Sequence, residues 1–415
     1  MDSRPAEASR TTGALSPLRL RGFRHLAMGQ LVSSLGNAMY KVAQSWLLAA
    51  SAGGNGSLVG LLAAFQLGPL LLFGGRGGRI ADQYRRRRLL IATQSTHAAL
   101  SAMFAVVVFL GPVRVWEIYL LTFAAGLVTV VDNPARQRFL TDLVGETRLS
   151  RALGLYTALL NTGQILGPLV AGLVVGWAHV GWIFVLDAAT FIGMTAVLLT
   201  LPDPARDDTA TAAGAGRGGG LRDALAEAGR VPRLAAVVLA SAVVGSIGVQ
   251  FTLTNTLMAT RAFGLTATGF ASLAMAVTVG CLLGALVAGR AERPSPVTVL
   301  AAAAATGLTG AVCGLAPNYP VFVVLLVPAG FASMLFTTCS AVLLQLCAAP
   351  GLRGRVIALQ TTVFYGSGLV GALLLGVCAD RFGPRAVLVG AGVATMAACA
   401  AIAARYRTRL GTEQR

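Results

Sequence analysis

Gly78-Arg79-Ile80-Ala81-Asp82-Gln83-Tyr84-Arg85-Arg86-Arg87-Arg88 stands between two apolar stretches, each long enough to cross a bilayer. An arginine run repels itself and is costly in hydrocarbon, so it stays in the cytoplasm and fixes the orientation of the spans beside it. A spanning helix needs about 20 mostly apolar residues, and twelve segments meet that need. They run over 23–50, 57–78, 89–110, 115–132, 152–176 and 180–201, then over 234–260, 266–289, 297–316, 321–347, 356–379 and 385–404. An even number of crossings returns both termini to the cytoplasmic side, and the expected location is the cell membrane.

A mean hydropathy of +0.73 is too high for a soluble chain, and 55% of the residues are hydrophobic against 12% charged. The formal net charge of +17 would suggest nucleic acid in a soluble domain. Here the distribution of the charge matters more than its sum. Four of the positive side chains fall in outer loops and Lys41 within a span, while the rest lie in or beside cytoplasmic segments. No basic face is interleaved with aromatics, so no nucleic-acid partner is expected. Cys281, Cys313, Cys339, Cys347, Cys378 and Cys399 all sit in apolar runs without metal-ligand spacing and read as small buried hydrophobes. The first apolar run is too long for a signal-peptide core and reads as a retained helix.

The expected organisation is an N-terminal tail (1–22), a six-helix bundle (23–201), a cytoplasmic linker (202–232), a second six-helix bundle (233–404) and a C-terminal tail (405–415). The linker carries Asp207-Asp208 and a glycine-rich patch from Gly214 to Gly220. Between Asn133 and Ser150, charged residues alternate with Phe139, Leu140, Leu143 and Val144, a pattern that suits a helix lying at the cytoplasmic interface. A single register shift pairs Arg151 with Arg355, Ala158 with Thr362, Gly167 with Gly371 and Gly172 with Gly376. Glu292, between Arg290 and Arg293, likewise echoes Asp82. Parallel six-helix repeats joined by a cytoplasmic linker are the layout of one large transporter class.

Three motifs resemble the major facilitator superfamily. The opening loop is similar to GxxxD(R/K)xGRR between helices 2 and 3, with Tyr84-Arg85 in place of a glycine-arginine step. Gly163-Gln164-Ile165-Leu166-Gly167-Pro168-Leu169-Val170-Ala171-Gly172 resembles the GxxxGPxxGG pattern of exporters and antiporters, with Ala171 for one glycine. Phe23-Arg24, Gln30 to Gly36, Val42 to Leu47 and Asn133-Pro134-Ala135-Arg136-Gln137 look like the enterobactin-exporter and macrolide-efflux branch, which often has an arginine where this chain has Gln164. The resemblance implies an all-α fold of twelve transmembrane helices in two six-helix repeats. It further implies export of drugs, antibiotics or siderophores, usually coupled to protons, and a cytoplasmic gate that here involves Gly78, Asp82, Arg85, Arg86 and Arg136.

The residues themselves leave alternatives open. Asp82 can accept hydrogen bonds from a neighbouring helix N-terminus while pairing with an arginine; a topogenic arginine run with a solvated aspartate is the alternative, against which the glycine spacing speaks. Gly163, Gly167 and Gly172 let another helix approach closely and Pro168 permits a kink, which ordinary small-residue packing also uses. Gln30, Ser34, Asn37, Lys41 and Gln44 share one face of helix 1, which should border a water-filled cavity or another polar helix. Lys41 lies too deep to snorkel easily and needs a partner, with Asp132 and Asp187 as candidates for proton coupling or for a static pair. Asn161, Gln164, Gln250, Thr254 and Asn255 complete the candidate cavity. The expected function is a monomeric, proton-coupled exporter of a small amphipathic molecule, with no cofactor, no metal and no enzyme chemistry. A solute importer and a transport-inactive sensor are the rivals.

Overall fold

The structure is a computed structural model that describes residues 18, 20–144, 149–201, 231–248, 251–288, 294–348 and 353–411. Among the described residues, twelve helical spans follow one another: α1 (Arg21–Ser51), α2 (Gly56–Gln83), α3 (Arg86–Leu110), α4 (Val115–Val144), α5 (Leu149–Trp177) and α6 (Gly181–Thr200). Then come α7 (Pro232–Ala262), α8 (Ala267–Ala288), α9 (Pro296–Gly314), α10 (Tyr319–Cys347), α11 (Arg353–Phe382) and α12 (Pro384–Gly411). Among the described residues, eleven helices are long and apolar enough to cross a membrane. The twelfth, α1, has 31 residues, about 46 Å at 1.5 Å per residue. Length suffices; its polar stripe dilutes the hydropathy.

Local chemistry sets the boundaries. The side chains of Asn55, Ser295 and Asn318 accept from the amides of Leu58, Thr298 and Val321 at 3.2, 3.1 and 3.1 Å, capping α2, α9 and α10. The α1–α2 turn is made by Gly53 and Gly54, both at positive φ. Two ends differ from expectation. α2 continues to Gln83, so Gly78 and Asp82 sit on its last turns. α4 runs straight through Pro134 to Val144 where a separate interfacial helix was expected. Its apolar face is met by protein, not lipid: Ala135, Phe139, Leu140 and Val144 join Phe23, Leu26, Met194 and Leu198 in one core. The linker from Pro202 to Arg230 and the segment Arg290 to Arg293 lie outside the described residues.

The two bundles of six repeat each other. Gly167 seats α5 on α1, where a Cβ would stand 2.8 Å from the Leu35 carbonyl oxygen. Its repeat partner Gly371 seats α11 on α7, where a Cβ would fall on the Ser246 carbonyl oxygen. Gly172 then faces Met275 of α8 across the boundary between bundles, while Gly376 faces Gly56 of α2 across the same boundary. One sequence register therefore maps two kinds of helix pairing at once.

The apolar cores divide by membrane depth. At the end bearing the α2–α3 connection, each bundle has a core of its own. At the opposite end, Leu253, Leu257, Ala379 and Val387 of the second bundle join Leu48, Val59, Ile118 and Phe184 of the first. Val42 and Trp46 of α1 pack in turn against a second-bundle core. Among the described residues, the apolar cores thus merge across the bundles at one end and stay separate at the other.

Candidate functional site

Between the bundles lies a cavity of about 290 Å³, walled by α1, α5, α7 and α8. Its polar side is built from Lys41 and Ser45 of α1, Gln164 of α5, and Thr252 and Asn255 of α7. The apolar side is Val42, Ile165 and Pro168 together with Phe270, Ala274 and Val277 of α8. Phe270 stacks on Trp46 with centroids 5.5 Å apart, fixing the ring at the wall. Ser45 and Thr278 spend their hydroxyl protons on the carbonyls of Lys41 and Ala274, 2.9 and 2.8 Å away. The hydroxyl of Thr252, the amides of Gln164 and Asn255 and the Lys41 ammonium have no such partner among the described residues, and Asn255 Oδ1 is buried without one.

The polar stripe of α1 divides its labour. Lys41 faces the cavity, but Gln44 is buried and ties the first bundle together. It donates to Tyr40 Oη at 3.2 Å and to Thr122 Oγ1, and accepts from Gln66 Nε2 at 2.9 Å. Ser34 donates to the Leu31 carbonyl and meets Gly163 of α5. Gln30 is buried with its Oε1 unpartnered, Asn37 is half-buried and Asn161 is exposed. Thr254 turns into the second bundle beside Thr306 and Gly392. Gln250 lies outside the described residues.

The two acid candidates occupy different surroundings. Asp187 is 1% exposed, accepts one hydrogen bond from Ser101 Oγ at 2.6 Å and keeps Oδ1 without a partner. It sits behind α1 at Gly36, whose Cβ would come within 2.9 Å of Oδ1, close enough for its charge to act on Lys41 without an ion pair forming. Asp132 does not meet Lys41 at all. Its carboxylate is occupied by Thr93 Oγ1 at 2.7 Å, Gln94 Nε2 at 2.8 Å and the guanidinium of Arg136, one turn along α4. Arg136 is therefore committed to Asp132, with Nη1 buried and unpartnered.

The arginine run has structural work beyond topology. Arg86 at the start of α3 pairs with Asp142 near the end of α4. Arg87 donates to the carbonyls of Leu198 and Leu199, 2.8 and 2.5 Å away at the C-terminus of α6, where the helix dipole favours a cation. The Gly78 carbonyl accepts from Arg138 at 3.4 Å. Arg85 is the residue preceding the first turn of α3, and the side chain of Asp82 lies outside the described residues.

Sequence reasoning missed a clamp at the fused end. Asp380 of α11 accepts from the amides of Gly56 and Ser57 at 2.7 and 2.8 Å and from the Ser57 hydroxyl, so a carboxylate of one bundle caps a helix N-terminus of the other. Arg261 of α7 closes the arrangement, 2.8 Å from Asp380 Oδ1 and 3.2 Å from the Ala379 carbonyl. The readable signal was an aspartate ending one apolar run and an Asn-Gly-Ser start to another.

Two related six-helix bundles with a polar cavity between them define the major facilitator fold, a fold of membrane transporters and not of enzymes. Within it, the family model described as transmembrane secretion effector matches residues 12–414, and the chain belongs to that family. The chain is 29% identical over 171 residues to the staphyloferrin A transporter of Staphylococcus aureus, covering 40% of this chain and 42% of the relative. It is 26% identical over 178 residues to macrolide efflux protein A of Streptococcus pyogenes, covering 42% and 43%. These two matches span less than half the length of either relative. The multidrug efflux pump Tap of Mycobacterium tuberculosis is 28% identical over 375 residues, covering 86% and 87%. A solved bacterial homolog to the human lysosomal transporter Spinster superposes with a TM-score of 0.73 at 15% identity, covering 94% and 97% of the two chains.

Proposed function

We propose that the chain is a secondary exporter in the cytoplasmic membrane, moving a small amphipathic molecule by alternating access against inward proton flow. The observation that carries this reading is the interbundle cavity, walled by two helices from each half, in a molecule whose bundles are joined at one end by the Asp380 clamp and the shared core. By the positive-inside rule the Arg85–Arg88 turn belongs in the cytoplasm, with both termini, so the fused end is the outer one. This conformation is then closed to the outside and loads from within. The cavity is complete in one chain, which supports a monomer. The named activities of the macrolide and multidrug relatives agree with export.

Asp187 is the proposed proton site. Its Oδ1, without a partner, lies in the interior of the first bundle, where a bound proton removes a poorly solvated charge, and its charge reaches Lys41 on the cavity wall. Loading a proton there changes the field at the substrate. Asp187→Asn is expected to abolish proton-driven export while the purified protein keeps its melting temperature; unchanged transport by that variant would remove Asp187 from the mechanism.

A further inference from the structure

The cavity has a sign. Among the described residues that line it, Lys41 carries the one charged side chain, and the acid that acts on it, Asp187, is behind α1 and bonded to Ser101. Gln164 and Thr252 add uncommitted polar groups from α5 and α7, so both bundles face the same polar side. On the α8 wall, Phe270, Ala274 and Val277 carry no charge and no side-chain hydrogen-bond donor. A cation held at membrane depth without a contacting counter-ion attracts an anionic ligand strongly, because the surrounding protein screens it poorly.

We propose that the cavity selects an amphipathic organic acid, its carboxylate held by Lys41 with Gln164 and Thr252 and its apolar body laid against Phe270 and Val277. This rests on the transport reading for its biological meaning but not for its chemistry. A monoanion fits better than a polyanion, since one ammonium neutralises one charge and the remaining polar groups are neutral. An amine is disfavoured for the same reason that the acid is favoured. The Lys41 ammonium would have to be desolvated beside a like charge.

The test is direct binding to the purified full-length protein, followed by calorimetry. The probes are 4-phenylbutyrate, its methyl ester and 4-phenylbutylamine, which share one apolar body. The acid is expected to bind at least about tenfold more tightly than the ester or the amine, about 1.4 kcal/mol. Lys41→Gln should erase that preference while keeping the ester affinity, and Lys41→Arg should retain it. Equal or tighter binding of the amine or ester, no binding of the acid to the wild type, or a Lys41→Gln variant that still prefers the acid would each overturn the proposal. Export of neutral drugs with no acid preference would leave the transport reading standing and remove this one. Acid-selective, Lys41-dependent binding in a protein that drives no export would do the reverse.

Discussion

Asp132 and Arg136 carry opposite charges one helical turn apart, and both are almost wholly buried. Removing one partner of such a pair leaves an uncompensated charge, which costs about 3–5 kcal/mol. Arg136→Ala is therefore expected to lower thermal stability in detergent markedly, and Asp132→Asn added to it should restore part of the loss. A neutral single variant would show that water reaches the site. At this scale the sequence was only half legible. Spacing put Gln30, Ser34, Asn37, Lys41 and Gln44 on one face, but a face is shared between neighbours. Whether Gln44 meets Thr122 and Gln66 or the cavity depends on helix packing that periodicity does not contain.

Helix pairing follows glycine positions. Gly371 admits Ser246 backbone so closely that any side chain must displace it, whereas a methyl placed on Gly390 of α12 would meet nothing within 4 Å. Gly371→Ala should destabilise by about 1–3 kcal/mol, as overpacking does, and Gly390→Ala should be close to neutral in the same melting assay. Equal stability of the two variants would contradict the close α11–α7 seat. The spans themselves were readable because hydrocarbon thickness sets helix length, and the repeat was readable because Gly167 and Gly371 solve the same packing problem. The extension of α4 was not. Pro134 and the charges after it look like an interruption, yet burial of Phe139 and Leu140 against α1 and α6 outweighs them. Nor did periodicity reveal that α7 contains two π-helical stretches, Val244–Gly248 and Met258–Ala262, on either side of its cavity residues. Such stretches are frequent at functional sites.

For the molecule as a whole, the contact that joins the bundles at the fused end is a carboxylate seated on a helix N-terminus of the opposite bundle and braced by Arg261, so Asp380→Asn weakens it without touching the cavity. Spin labels on the exposed residues Ser51 and Leu315 should then report a larger long-distance population in Asp380→Asn than in the otherwise wild-type protein. Identical distance distributions would mean that the shared apolar core alone holds this end together. The two six-helix bundles were legible from the spans, but the clamp joins residues far apart in the chain and needed the fold to be seen. The most direct measurement of the account is accumulation of fluorescent amphipathic probes, acidic and neutral, in energised inside-out membrane vesicles. Export predicts uptake that collapses when a protonophore is added and that Asp187→Asn abolishes. Accumulation confined to right-side-out cells, or uptake indifferent to the protonophore, would contradict it.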